Sequence, residues 1–349
     1  MLNTLQAITF GGATLLLSYI GVALFTVWAE RARVLDIPNA RSLHRRPMPR
    51  GAGLVIVGLT LLGAWVHQAL FVPARPWLPL LVYTAAGLLI AGVSWRDDIS
   101  GVPVGLRLTV HGIAAAITLW GLGYWRIVAL PVFGELSLGW IGVPLTFFWI
   151  VGLINAINFM DGIDGITGGQ AVVATSAWTV VGWLMREPTV STLSILLASS
   201  SLGFLVHNWP PGRVFMGDVG SAFLGYSLSV LPLFITPIPT WSAVTAALVV
   251  WPFVFDTGFT FLRRLCRAEN VFAAHRSHLY QRLVAAGYAQ RSVTLLYIGL
   301  AVTSGVLALA WSRDAALRDQ TVILGCLLIC VTLRSIVWQQ ERWWAARRP

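Results

Sequence analysis

Between Asn155 and Gly169 the chain reads Asn-Ala-Ile-Asn-Phe-Met-Asp-Gly-Ile-Asp-Gly-Ile-Thr-Gly-Gly. Two amides, two carboxylates and a cluster of glycines thus stand at the end of a long apolar run. Ionisable groups in such a place are costly unless they find a partner or face water, so they call for a functional explanation. Asn155, Asn158, Asp161 and Asp164 are spaced by three, and on one continuous helix that series drifts by about 60° per step, turning its first and last members to opposite sides. The spacing therefore predicts a helix that ends near Asn158. The glycines from Gly162 onward then form a loop whose bare backbone can approach a ligand closely, as phosphate-binding turns do, with Asp161 and Asp164 at its mouth.

Three further blocks carry the same chemistry. Trp95-Arg96-Asp97-Asp98, expected in a loop after a span that ends near Ser94, presents adjacent carboxylates, which would point about 100° apart on a helix and cannot share one task equally. One is expected to face the site and the other a supporting arginine such as Arg96 or Arg107. In Phe215-Met-Gly-Asp218-Val-Gly-Ser221 a lone carboxylate sits between glycines at a predicted helix start, where exposed N–H groups favour an anion and the carboxylate can hold a cation beside it. His275-Arg276-Ser277-His278 places two histidines at i, i+3, to gather on one helical face near phosphates; a zinc pair is the rival, without a third ligand at finger-like spacing. Carboxylates and amides without cysteine suit a hard cation such as Mg2+ that keeps waters and bridges phosphates. Arginine and glycine backbone suit phosphate oxygens. The segment from Ile37 to Gly53 adds His44 and the turn at Arg50 as anion-binding candidates, although arginines beside a span can also be purely topogenic. Asp256 and Arg263, nearly two turns apart, are expected to form a structural ion pair at the membrane rim.

The elements that must position these residues are membrane helices. Of 349 residues 57% are hydrophobic and 11% charged, with mean hydropathy +0.75, against roughly one quarter charged in a soluble domain. All 24 basic residues are arginine and the net charge is +10, which points to an inner membrane face rather than nucleic acid, because no basic domain stands apart from the apolar runs. Cys266, Cys326 and Cys330 show neither a metal spacing nor a disulfide framework and read as reduced thiols. The pattern predicts an all-α, polytopic membrane protein forming a single domain over residues 1–349. It would have about 11 spans, from Leu5–Trp28 to Thr321–Val337, with a short outer hairpin between Tyr124 and Trp140. Arginines crowd the loop behind the first span and the last stretch of chain, which puts the N-terminus outside, the C-terminus inside and every unusual residue above on the cytoplasmic face. The chemistry is then phosphoryl transfer at the inner leaflet.

Taken in order, these blocks resemble the polyprenyl-phosphate N-acetylhexosamine-1-phosphate transferases of bacterial envelope synthesis, glycosyltransferase family 4, over nearly the whole chain. The resemblance implies that undecaprenyl phosphate attacks the β-phosphorus of a UDP-N-acetyl sugar, giving undecaprenyl-diphosphate sugar and UMP with Mg2+, for which Mn2+ can substitute. It implies Asp218 as a metal ligand, with the amide oxygen of Asn155 or Asn158 as a further one. Asp164 and Phe215 would hold uracil, and His275, Arg276 and His278 would contact diphosphate or sugar. Asp97 or Asp98 would be a base or a lipid-phosphate positioner. His-Arg-Ser-His-Leu-Tyr, in place of a run of consecutive histidines, resembles the branch that starts O-antigen, lipopolysaccharide and related cell-wall glycans; phospho-N-acetylmuramoyl-pentapeptide transferase is the alternative. Arg107 stands where the family commonly has lysine. A polytopic transporter or a non-catalytic lipid-binding protein are readings of another class, but transporter carboxylates usually lie near the midplane. Which sugar is transferred, and whether the protein is a homodimer, stay open at this level.

Overall fold

The computed structural model describes residues 4–38, 46–270, 276–313 and 318–345. The chain is built from α1 (Thr4–Ala32), α2 (Gly53–Phe71), α3 (Leu78–Ser100), α4 (Val104–Leu122), α5 (Gly142–Met160), α6 (Ile166–Leu184) and α7 (Pro188–Asn208). It continues with α8 (Gly217–Val230), α9 (Ser242–Val249), α10 (Trp251–Cys266), the short α11 (Leu279–Ala285), α12 (Gln290–Ser312) and α13 (Arg318–Ala345). Two small antiparallel ribbons complete it. β1 (Leu35–Asp36) pairs with β2 (Met48–Pro49) behind α1, and β3 (Ile127–Leu130) pairs with β4 (Gly134–Ser137) in the expected hairpin. The protein is an all-α polytopic membrane protein.

Helices stand at each of the eleven expected places. Among the described residues eight are long and apolar enough to cross a membrane by themselves, and α9 with α10, bent by 81°, makes a ninth if taken as one span. The two others are α8, sealed inside, and α6, buried along most of its length but open at Ser176, Trp183 and Leu184. In α8 every residue from Val219 to Val230 is buried. α8 is only 14 residues long, and the apolar run of α6 is diluted by Thr, Gly, Gln and Ser; the small residues of both let neighbouring backbones approach closely. Gly225 of α8 lies so near α5 that a Cβ would stand 2.7 Å from the Ile154 Cα, and Gly53 of α2 meets Gly220 backbone to backbone.

The bend between α9 and α10 has a local cause. Pro252 in the first turn of α10 has no N–H to offer the Leu248 carbonyl one turn back, and the Phe253 N–H turns to Val250 (3.0 Å); the Val249 carbonyl accepts the amide nitrogen of Gln170 on α6 at 2.8 Å. Non-helical backbone at membrane depth is tolerated where protein satisfies it in this way.

Two expectations of local structure need correction. Asp97 and Asp98 lie inside the last turns of α3, which runs on to Ser100, rather than in a loop after Ser94. Gly168 and Gly169 belong to α6, not to the loop before it, packing against Leu205 and Ile298. The loop proper is only residues 161–165.

The α2–α8 contact gives a stability test. Gly53→Ala should lower melting in detergent by the equivalent of about 1–3 kcal/mol or more, because its methyl must displace the Gly220 backbone. Gly58→Ala on the same helix has open space around its Cβ and should leave melting unchanged or raised by up to about 1 kcal/mol. Equal melting of the two variants would remove the contact as a determinant of the fold.

Candidate active site

The site begins with two chain segments that run side by side. Phe215 N–H donates to the Pro49 carbonyl (2.8 Å), Gly51 and Ala52 donate to the Phe215 carbonyl (3.1 and 3.2 Å), and Gly53 donates to the Met216 carbonyl (2.9 Å). This brings the N-termini of α2 and α8 together. The turn into each needs a positive φ, +100° at Gly51 and +76° at Gly217, which glycine adopts without penalty.

Asp98 then closes the start of α8. Its carboxylate has no exposed surface, accepts the N–H groups of Asp218 (2.8 Å) and Val219 (3.0 Å), and pairs with Arg50 Nε at 2.6 Å. A carboxylate among the unpaired first N–H groups of a helix is the favoured arrangement. A Cβ on Gly217 would stand 2.5 Å from the Asp98 Oδ2, so only glycine leaves room for this cap.

From Asp98 the charges alternate in a row. Arg50 reaches onward with Nη2 to Asp218 Oδ1 at 2.7 Å, and Arg107 Nη1 holds Asp218 Oδ2 at 2.9 Å while also pairing with Asp97. Asp97 further accepts the Val102 N–H at 2.6 Å. Burial opposes the Arg50 charge, but Asp98, Asp218 and Asp36 outweigh it and hold its pKa above the ordinary arginine value. The adjacent aspartates differ, but not along the expected lines: the sealed Asp98 pairs with Arg50 and supports α8, while the more open Asp97 is the one that meets Arg107.

Beside this row lies the turn after α5. Asn158 donates to Ser221 Oγ at 3.0 Å and hydrogen-bonds Asp218, tying α5 to α8. Asp161 caps the end of α5, and burial pushes its pKa up to about 7, with Asp218 and Asp98 adding to the rise and Arg50 opposing it. Asn155 turns its amide nitrogen to the Val151 carbonyl (2.7 Å) and, at 3.4 Å, to Nδ1 of His111. His111 is the site neighbour that sequence reasoning missed. It is buried, its Nε2 has no partner among the described residues, and it sits one turn beyond Arg107 on α4; that i+4 spacing from a charged residue was the available signal.

Asp164 belongs to a second cluster. Its Oδ2 accepts the Gly212 N–H at 2.8 Å and its carbonyl accepts Thr294 Oγ1 at 2.7 Å, while Asn208 bridges Gly165 N–H (2.8 Å) and the Val214 carbonyl (2.9 Å). Asp164 and Phe215 are thus carried by two loops that are stitched together. Gly162 lies under Tyr280, whose hydroxyl fills the space a Cβ would need.

The block ending at His278 differs from expectation. His44 and His275 lie outside the described residues. His278 is not on a helical face shared with its neighbours but precedes α11 in extended backbone (φ −61°, ψ 149°), with exposed Arg276 two residues before it. It is buried, with Nδ1 3.3 Å from Asp256 Oδ1. Asp256, expected to pair with Arg263, instead accepts from the start of α11 and from Tyr297. The spacing argument saw the shared helical face but not the backbone donors that a distant loop would bring to it.

A profile for glycosyl transferase family 4 matches residues 80–236. Over 292 residues the chain is 31% identical to the probable undecaprenyl-phosphate N-acetylglucosaminyl 1-phosphate transferase of Bacillus subtilis (strain 168), covering 81% of this chain and 80% of that protein. The chain belongs to glycosyl transferase family 4. It is also 28% identical over 357 residues to the decaprenyl-phosphate N-acetylglucosaminephosphotransferase of Mycobacterium leprae (strain TN), covering 91% and 88% of the two chains. To the phospho-N-acetylmuramoyl-pentapeptide-transferase of Synechococcus sp. (strain JA-3-3Ab) it is 27% identical over 329 residues, covering 88% and 92%. The stretch matched by the family 4 profile encloses Asp97, Asp98, Arg107, the turn after α5 and Asp218; Arg50 and α11 reach this family 4 core from outside it.

The raised pKa of Asp161 makes stability depend on pH. An acid whose folded pKa is about 7, against 3.8 ordinarily, binds its proton more tightly in the fold, so it weakens the folded state progressively as pH rises from about 4 through about 7. With divalent metal removed by chelator, melting of the wild type should fall across that window, and Asp161→Asn should flatten the fall. Parallel pH profiles for the two proteins would refute the assignment.

Proposed function

We propose that this chain transfers an N-acetylhexosamine 1-phosphate from a UDP-N-acetyl sugar to polyprenyl phosphate at the inner face of the bacterial cytoplasmic membrane, releasing UMP. The observation that carries this reading is Asp218, held between Arg50 and Arg107 at the junction of α3, α5 and α8. Phosphate chemistry needs an acid to hold a cation and fixed guanidiniums to hold oxygens, and here they share one row. The row lies at helix ends rather than mid-helix, which favours a transferase over a transporter. The names of the relatives support polyprenyl phosphate as acceptor, and the two named for N-acetylglucosamine make UDP-N-acetylglucosamine the first donor to test. Undecaprenyl phosphate is the acceptor named for the Bacillus protein. The His-Arg-Ser-His block favours the branch that initiates O-antigen and related glycans over the pentapeptide transferase.

The donor set fits Mg2+. Four carboxylates, Asp97, Asp98, Asp161 and Asp218, face two guanidiniums, so the cluster is short of positive charge when ionised. Its donors are oxygens. Among the described residues no three His, Cys, Asp or Glu side chains form a ready cage, and Mg2+ commonly takes one or two carboxylates and leaves its other positions to water and substrate phosphates. Asp218 would hold it, with an amide oxygen of Asn155 or Asn158 as the second protein ligand. Mg2+ bound there supplies charge neutralisation on the diphosphate.

In the reaction a lipid-phosphate oxygen forms a bond to the β-phosphorus, and the bond from the β-phosphorus to the bridging oxygen breaks, leaving on UMP. A phosphate monoester dianion is already nucleophilic, so no protein base is required. Asp98, sealed and already bonded to three donors, cannot reach a substrate; Asp97 can, and through Arg107 it orients the guanidinium that meets the lipid phosphate. Asp164 and Phe215, on the stitched loops, would hold the uracil, and Arg276 would meet the sugar-diphosphate end. The arginines between Glu30 and Gly51 support reading this face as the inner one, with the N-terminus outside and the C-terminus inside.

Purified protein should release UMP from a UDP-N-acetyl sugar only when polyprenyl phosphate and Mg2+ are both present. Asp218→Asn should lower turnover by roughly 10²–10³-fold, the scale of losing one positioned charge-stabilising group, at every Mg2+ level, with melting in detergent preserved. Release of UMP without the lipid acceptor, or wild-type turnover by Asp218→Asn, would overturn the reading.

A further inference from the structure

Asp256 has no place in the chemistry above, yet it is a fully buried carboxylate on a membrane helix. Such residues are rare and usually tied to function. It accepts the N–H groups of Leu279 (2.8 Å) and Tyr280 (3.1 Å), the hydroxyls of Tyr297 (2.5 Å) and Thr260 (3.2 Å), and contacts His278 Nδ1 at 3.3 Å. Those donors come from α10 itself, from α12 and from the start of α11. One carboxylate therefore joins three elements.

The consequence runs to the active site through Tyr280. With its own N–H anchored on Asp256, Tyr280 is fully buried, its hydroxyl donates to the Phe159 carbonyl at 3.1 Å, and its ring end stands over Gly162. Phe159 and Gly162 directly follow Asn158 and Asp161 in the chain, at the end of α5 and in the turn after it. On the next residues Thr294 of α12 donates to the Asp164 carbonyl, so the same unit grips the turn twice. We infer that Asp256 is a positioning residue for the transfer reaction: by fixing the start of α11 it sets Tyr280 as a stop against the Phe159–Gly162 turn, and so places Asn158 and Asp161 relative to Asp218. The role needs a carboxylate. An amide at this position would turn an NH2 towards donors, and a backbone N–H, unlike the Tyr297 hydroxyl, cannot reverse to accept.

This inference rests on the proposed transfer for its kinetic readout, but not for its structural one. Deuterium uptake of the full-length protein in detergent is measured first. Asp256→Asn should raise uptake in residues 158–165 and 279–285 and leave residues 217–230 unchanged. Unchanged uptake in 158–165 overturns the inference whatever the activity. Kinetics with polyprenyl phosphate, UDP-N-acetylglucosamine and Mg2+ should then show kcat reduced by roughly 10²-fold, the scale of a small misplacement of reacting groups, with KM for the lipid within about twofold of wild type. Wild-type kcat in that variant also overturns it. Should Asp256→Asn fail to fold, a second set decides. Gly162→Ala drives a methyl into the Tyr280 hydroxyl and should lose both melting temperature and turnover, and Tyr280→Phe, which removes that hydroxyl, should restore most of both in the double variant. A double variant no better than Gly162→Ala alone refutes the stop. An inactive wild type would count against the proposed function, while uptake and melting still judge the placement.

Discussion

The structure depends on a carboxylate with no exposed surface meeting the bare N-terminus of a helix. Asp98 cannot stay ionised at that depth unless donors replace the water it loses, and the start of α8 cannot be buried unless an acceptor takes its free N–H groups. Each satisfies the other. Arg50, the third member, adds the charge that makes the pair neutral, and its second nitrogen reaches Asp218. Removing any one of the three leaves a charge or a donor without its partner, the costly case for buried ionic groups.

From this knot the arrangement extends by geometry. Arg50 can address two carboxylates because its guanidinium presents Nε and Nη2 in a fixed fork, a shape that lysine lacks. On the other side of Asp218, Arg107 also joins two carboxylates, Asp97 and Asp218, but through one nitrogen, Nη1. The acid most exposed to a ligand is thus held by two cations without being covered, while the adjacent aspartates of α3 are divided into a sealed support and an open contact. Glycine at 53, 217 and 220 is needed because α2, α3 and α8 converge there with little room for a Cβ.

Much of this was legible in the sequence. The apolar runs placed the helices, the three-residue spacing of amides and acids ended α5 within two residues of the observed end, and the paired aspartates had to divide their work because a helix turns them apart. What the sequence hid were contacts between distant segments. Nothing local says that Asp256 prefers the amides of Leu279 and Tyr280 to the guanidinium of Arg263, since the choice depends on where α11 docks. His111 was equally silent, a histidine within an apolar helix whose neighbours Arg107 and Asn155 gain meaning only when α4 lies beside α5. The glycines at 168 and 169 looked like loop and serve as helix packing, because composition reports small size but not which use is made of it.

The row of charges also bears on how the protein is made. Arg50 and Asp218 are 168 residues apart, and Asp98 precedes the N–H groups it accepts by 120 and 121. At about 5–20 residues per second, Arg50 emerges roughly ten to thirty seconds before its second partner exists. Through that interval the arginine and the α3 aspartates must keep to the membrane surface, where water can solvate them, and α2 and α3 sit in the bilayer without the helix that will pack between them. The row of charges is thus a late product of biogenesis, closed only when α8 joins α2 and α3, with α9 to α13 still to follow.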